Sequence, residues 1–331
     1  MKKNLVLAVM ALMIAFTEAA IGDPPAGRVI GWGYNVGGGL FGLYTNCDSI
    51  GYVRIRGQEL TNVVAIAAET YHAMGLRSDG TVVAWGAEPY HTVMNIPPGM
   101  TNVMAISLGG VHSLALTHDG QVVCWGDDES TNVPTGLSNV VAVAGGGSDT
   151  IALRRDGTIA KWGSPYGSPP AGLSNVVAIA TGLDDLALRE DGTIVEWPRY
   201  YADDPYSMPP GLTNVIAIAS RATHALALKK DGTVVAWGWM SGDFMNPNYG
   251  QMNVPSGLSN VVAIAGGPAI SMALKKDGNV VVWGDNHHHQ VDLAAGLSNI
   301  VAIAAGQNFC LAIQTNGTLV ETNIPPTPIK P

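Results

Sequence analysis

The stretch Thr213-Asn214-Val215-Ile216-Ala217-Ile218-Ala219, followed by His224-Ala225-Leu226-Ala227-Leu228-Lys229-Lys230-Asp231-Gly232-Thr233-Val234-Val235-Ala236-Trp237-Gly238, decides the fold. Its opening phrase is Thr or Ser, then Asn, then Val-Val-Ala-Ile-Ala or a near variant. The phrase occurs seven times, at Asn62, Asn102, Asn139, Asn175, Asn214, Asn260 and Asn299, with spacings of 40, 37, 36, 39, 46 and 39 residues. A period near forty that fills a 331-residue chain means one repeat array rather than two ordinary domains.

Each unit holds three β-rich pieces. Piece A is the Asn-Val-Val-Ala-Ile-Ala phrase. Piece B is the His224–Lys230 type, and piece C the Thr233–Gly238 type. Between B and C stands Asp-Gly, at Asp79, Asp119, Asp156, Asp191, Asp231 and Asp277, with Asn316-Gly317 in the last copy. Asp-Gly between β-rich runs marks a hairpin, both residues tolerating positive φ. The variable stretch that follows, up to Pro210-Gly211-Leu212 and its relatives, leaves room for a short fourth strand, piece D. Four short antiparallel strands per forty residues describe a propeller blade. The fold expected over residues 27–323 is therefore all-β: a seven-bladed β-propeller of four-stranded antiparallel blades.

Several details belong to that expectation. In piece A, Val63, Ala65 and Ala67 point one way, and Val64 and Ile66 the other. Both faces are apolar, so both must be covered. Gly75, Ala115, Ala152, Ala187, Ala227, Ala273 and Ala312 hold the middle of B, which predicts close strand approach near the axis. Trp32, Trp85, Trp125, Trp162, Trp197, Trp237 and Trp283 share one repeat position and are read as packing between blades. A copy of piece C, Gly27–Gly33, has no A or B before it. The N-terminal segment is expected to complete the blade begun by Ile300–Ile313 and to close the ring.

Residues 1–20 read as a secretory signal peptide. They run from Met1-Lys2-Lys3 through an apolar stretch, Leu5–Phe16, to Thr17-Glu18-Ala19-Ala20. Cleavage after Ala19 or Ala20 removes Lys2, Lys3 and Glu18, leaving 15 basic against 25 acidic residues, a net charge of −10 from the −9 of the whole chain. The apolar run is too short for an ordinary membrane span, and no other segment could cross a bilayer. An acidic exported chain without a basic tail is a poor binder of nucleic acid. Residues 324–331 read as a short Pro-rich tail. Cys47, Cys124 and Cys310 show no metal-ligand spacing. The last two read as buried thiols; one disulfide involving Cys47 stays open, and the fold is not expected to depend on it. Asn316-Gly317-Thr318 forms a glycosylation sequon.

The stretch Ile106–Gly110, His112-Ser113-Leu114-Ala115-Leu116, Asp119-Gly120 and Trp125-Gly126 resembles the repeats of the regulator of chromosome condensation family, and Gln251–Gly257 resembles their short bacterial form. The resemblance covers about residues 27–320 and implies a seven-bladed propeller. The family's best-known member activates a nuclear Ran GTPase and binds chromatin, which an export signal and acidic charge oppose. The chain is closer in architecture and export to the secreted propeller-type beta-lactamase inhibitory protein, which occludes an enzyme with one propeller face. The family acts mainly as a binding scaffold.

Strand direction divides the candidate residues. The Asp-Gly turns lie on one face, beside Arg77, Arg154, Arg155, Arg189, Lys229, Lys230, Lys275 and Lys276. On the other face, where B starts and C ends, lie Asp127 and Asp128 and a loop cluster of Tyr200, Tyr201, Tyr206, Trp239, Phe244 and Tyr249. Rigid aromatics on loops suit recognition. The first residue of B gives a further constellation: His72, His112, Asp149, Asp184 and His224, then Ile270 and Phe309. Near one mouth of the axis, His and Asp suit metal binding or proton handling, or, as part of the repeat pattern, hydrogen bonding to the neighbouring turn. Adjacent carboxylates such as Asp184-Asp185 do not face each other across a cleft as glycoside hydrolysis needs, and His287-His288-His289 reads as a solvated loop. The expectation is a non-catalytic scaffold without cofactor or metal, gripping another protein through the aromatic and acidic face. The rivals are an inhibitor of a secreted enzyme and a glycan-binding or glycan-cleaving propeller.

Overall fold

A computed structural model of the chain describes residues 25–34, 48–70, 72–86, 91–127, 129–164, 167–182, 184–198, 208–238, 248–317 and 322–324. The signal-like segment 1–20, Cys47 and the tail from 325 onward lie outside them.

Pieces A, B and C are strands, and each unit forms an antiparallel sheet. The first is Val63–Ala68, His72–Arg77 and Val82–Gly86, in that order. Among the described residues, six such sheets have three strands and a seventh has five. The A strand of each sheet packs against that of the next, and the last, Ile300–Ala305, packs against the first, Val63–Ala68. The sheets therefore close on themselves as a β-propeller, with the A strands innermost.

The five-stranded sheet holds the closure. Its order is Ile300–Ala305, Phe309–Gln314, Arg28–Tyr34, Asp48–Tyr52 and Thr322–Ile324. Arg28–Tyr34 pairs with Phe309–Gln314 in the register Ile30 to Ala312, so the N-terminal piece C takes the place of the third strand. The decayed last copy of piece C is displaced to the sheet edge. Gly27 exchanges two backbone hydrogen bonds with Val63, at 2.9 and 3.1 Å.

The repeat Asn is explained by its backbone. All seven adopt left-handed φ values between 56° and 60°, a region that Asn tolerates better than most residues. Each accepts a hydrogen bond on its carbonyl from the residue after strand B, as from Lys230 N to Asn214 O at 2.8 Å. The next residue reaches the neighbouring sheet. Val103 N donates to Gly80 O at 3.2 Å, and Ile300 N to Gly278 O at 3.1 Å. One phrase thus starts a strand and ties it to the previous hairpin.

Three expectations need correction. First, every A–B pair slips register at the second residue of A, leaving Val64, Met104, Val141, Val177, Ile216, Val262 and Val301 as bulges. An extra residue reverses the alternation. Val63 now packs with Ile66 on one side, and Val64 with Ala65 and Ala67 on the other. Second, only the Gly of each Asp-Gly turn has positive φ, 76° to 80°. The Asp accepts hydrogen bonds instead, as Asp231 Oδ1 does from Thr233 N at 3.0 Å and Oγ1 at 2.6 Å. This is the three-residue hairpin with a terminal left-handed Gly. Third, the small residues of B make room for Trp rather than for the axis. A Cβ at Gly75 would lie 3.4 Å from Cζ3 of Trp85.

The expected fourth strand is absent from the three-stranded sheets among the described residues. In its place stand a helical turn at His91–Met94 and 3-10 turns at Glu129–Thr131 and Asp292–Ala294. Pro97, Pro98, Pro134, Pro169, Pro170, Pro209, Pro210 and Pro255 punctuate these segments, and Pro cannot donate to a ladder. The loop backbone serves instead as acceptor for the next sheet. Val93 O receives Trp125 Nε1 and Ser113 Oγ, both at 2.8 Å, and Gln251 O receives Trp283 Nε1 and Ser271 Oγ, both at 2.8 Å. All seven repeat tryptophans are buried.

Candidate functional site

The ionisable constellation at the start of strand B is internal. His72, His112, Asp149 and His224 are at most 2 % exposed, and Asp184 is half-buried. In several copies the structure brings the first residue of B against the second residue of B in the next sheet. His112 Nε2 lies 3.0 Å from Thr150 Oγ1, and His224 Nε2 lies 2.8 Å from Ser271 Oγ. Where the first residue is apolar the match is apolar: Ile270 clusters with Cys310, and Phe309 with Ala73. These residues are struts between sheets.

The tautomer of His224 follows from hydrogen counting. Ser271 gives its single hydroxyl hydrogen to Gln251 O, so it accepts from His224 Nε2–H. Nδ1 of His224 is buried with no partner among the described residues. Protonating it would place an unsatisfied N–H in the interior. Burial accordingly lowers His224 to about 4. His72 is lowered to about 4 as well, by burial first and then by the neighbouring His112. Cys310 is fully buried, and burial raises its thiol, whereas Cys124 is partly buried and donates to Ser130 O.

Between Asp149 and the next sheet stands Lys161. Its Nζ is 2.7 Å from Asp149 Oδ2 and 2.6 Å from Asp185 Oδ2, and it also donates to Gly167 O at 2.8 Å. Both carboxylates are fully buried. Asp149 is therefore an ion-paired strut, buried away from any substrate. The backbone carbonyl of Asp184 accepts from Ser220 Oγ at 3.1 Å. Sequence reading missed Lys161, although it is the one basic residue in its repeat column.

The axis holds the second feature that sequence reading missed. Seven residues after each repeat Asn, five copies have Gly, at Gly109, Gly146, Gly182, Gly267 and Gly306. The other two have Glu69 and Arg221. These two side chains meet across the axis as an ion pair. Arg221 Nη1 also donates to Leu108 O and to Gly145 O, each at 3.3 Å. Glycine lets the strand ends crowd there: a Cβ on Gly145 would come within 2.7 Å of Gly109 N. Below the pair lies an axial cavity of about 470 Å³, lined by A strands of every sheet and reaching Arg77 and His118 at the turn face. Burial lowers Arg221 to about 10, so it remains a cation at neutral pH.

Of the expected loop surface, Tyr249 and Asp127 are described. Tyr249 is 38 % exposed, with its ring edge-on to His287 at 5.3 Å. Asp127 accepts from Thr92 Oγ1. Tyr200, Tyr201, Tyr206, Trp239, Phe244 and Asp128 lie outside the described residues. The His triplet is tied down rather than free. His287 pairs with Asp285, His288 with Asp48 at 3.0 Å, and His289 with Asp292 at 3.2 Å. Each imidazole has its own carboxylate, and among the described residues no group of three or more His, Cys, Asp or Glu converges on a metal position. On the turn face, the basic residues stand beside the turn carboxylates, as in Lys229–Asp231 and Lys275–Asp277, both 3.5 Å.

Residues 104–130 and 261–290 match the regulator of chromosome condensation (RCC1) repeat. No curated protein matches the chain in sequence. Solved structures resemble it in fold. Prp20p from Saccharomyces cerevisiae, whose binding properties to Gsp1p and histones are described, is 16 % identical with a TM-score of 0.69, covering 92 % of this chain and 93 % of its own. Human WBSCR16 is 16 % identical with a TM-score of 0.66, covering 87 % and 100 %. The CRINKLY WD40 ectodomain of the Arabidopsis thaliana receptor kinase ACR4 is 18 % identical with a TM-score of 0.55, covering 80 % and 98 %. No helix among the described residues is long and apolar enough to cross a membrane. The chain is thus a β-propeller, two segments of which match the RCC1 repeat.

Proposed function

We propose that this chain is an exported, non-catalytic, seven-bladed propeller that binds another protein through the loops joining strand C to the next strand A. One observation carries the reading. Of the ionisable residues at the start of strand B, His112, Asp149 and His224 are occupied as struts between sheets, which supports leaving recognition on that face to its loops. Tyr249 is one of two large apolar side chains exposed among the described residues, and it stands on such a loop. The aromatic residues Tyr200, Tyr201, Tyr206, Trp239 and Phe244 lie on the same loop class in neighbouring repeats. Aromatic anchors on a rigid frame lose little entropy on binding. Interaction with protein partners is also described for Prp20p, in structures concerned with Gsp1p, histones and Kap60.

Export rests on the basic, apolar and small-residue order of residues 1–20. The blade count rests on seven repeats and on taking the five-stranded sheet as one blade with an added edge strand. The test is affinity capture from the native secretome with the wild type and with Tyr200, Tyr201, Trp239 and Tyr249 all changed to Ala. Partners should be lost by the variant at unchanged melting temperature. Partners retained with unchanged affinity would place the contact elsewhere.

A further inference from the structure

The volume of the axial cavity, about 470 Å³, falls in the range of small-molecule pockets, roughly 300–1,000 Å³. Its walls combine Val, Ala, Ile and Met side chains of the A strands with the inward edges of those strands, each of which, among the described residues, pairs only with strand B in its own sheet, and the apolar surface exceeds the polar.

One end of the cavity is chemically distinct. The Arg221 guanidinium lines it and carries five N–H donors. Among the described residues its polar partners are Glu69 and two backbone carbonyls at the long distance of 3.3 Å. Donor capacity therefore remains at the cavity's end. The charge there is already balanced, one guanidinium against one carboxylate. A second buried carboxylate would be uncompensated and costly. A neutral acceptor carries no such penalty.

We propose that the axial cavity binds a slender, uncharged apolar molecule with a hydrogen-bond acceptor at one end, the class of fatty alcohols, esters and lactones, and that Arg221 receives that acceptor. The apolar tail lies along the A strands, and the polar end meets the Arg221–Glu69 pair. No covalent step is involved.

Isothermal titration of the full chain with 1-decanol and with decanoate at pH 8 tests this. One 1-decanol per chain is expected, with decanoate at least tenfold weaker. Ala144→Phe, which fills the cavity from one wall, should remove 1-decanol binding while the far-ultraviolet spectrum is kept. The double variant Arg221→Met with Glu69→Gln leaves no orphaned charge, and it should weaken 1-decanol at least tenfold. No binding of 1-decanol to the wild type overturns the site. Binding unchanged in a folded Ala144→Phe variant overturns its location. Decanoate binding as tightly as 1-decanol, or 1-decanol indifferent to the double variant, overturns the role of Arg221.

Discussion

Replacing Lys161 by Met should expose how strongly the sheets depend on their buried struts. The ammonium sits 2.7 and 2.6 Å from two carboxylates that have no contact with solvent. Met keeps most of the side-chain volume and removes the charge. Breaking a buried pair by removing one partner costs about 3–5 kcal/mol. An unfolding entropy of roughly 2.1 cal/mol/K per residue converts this into a fall of about 6 °C in melting temperature for a domain of about 300 residues. Urea denaturation at pH 7 should show this deficit. Adding Asp149→His and Asp185→Thr to Lys161→Ala installs the pair seen between His112 and Thr150 and should recover most of the loss. A deficit below about 1 kcal/mol would refute the strut reading.

Three other outcomes follow from the same geometry. His72 and His224, lowered to about 4, bind protons in the unfolded chain before the folded one. Stability should therefore fall as pH drops from about 6.5 towards 4, by about 2 kcal/mol per His at pH 5; denaturant midpoints measured for the wild type and His224→Gln check this, the variant showing the shallower loss. Trp283→Phe removes the indole donor to Gln251 O and should cost about 1–2 kcal/mol by thermal unfolding. Asn260→Val places a β-branched residue at a φ of 58° and should cost about 1–3 kcal/mol, whereas Asn260→Gly should be nearly neutral in the same assay.

The repeat made much of the fold legible. The Asn phrases, Asp-Gly pairs and tryptophans each mark a strand start, a hairpin or a seam. The orphan piece C at Gly27 disclosed the closure, because a strand copied without its partners must pair elsewhere. The bulges stayed hidden for a physical reason. Both faces of strand A are apolar, so inserting Val64 leaves no polar residue out of phase to betray the slip. The fourth strand was over-read because a loop of suitable length looks like a strand until its Pro residues are weighed as missing donors. At the hub, the departures from Gly at Glu69 and Arg221 were visible in the aligned repeats. Their pairing was not, since ring geometry alone brings the first and fifth copies together. His72, His112 and His224 were recognised as a set, but burial decides between a binding mouth and a strut.

The most direct test of the account is hydrogen–deuterium exchange on the purified chain alone and in complex with a captured protein partner. The loops around 199–207 and 239–253 should gain protection on binding, while the Asp-Gly turns at 79, 119, 156, 191, 231 and 277 keep their free-state rates. Protection confined to those turns, with the loops unchanged, would contradict it.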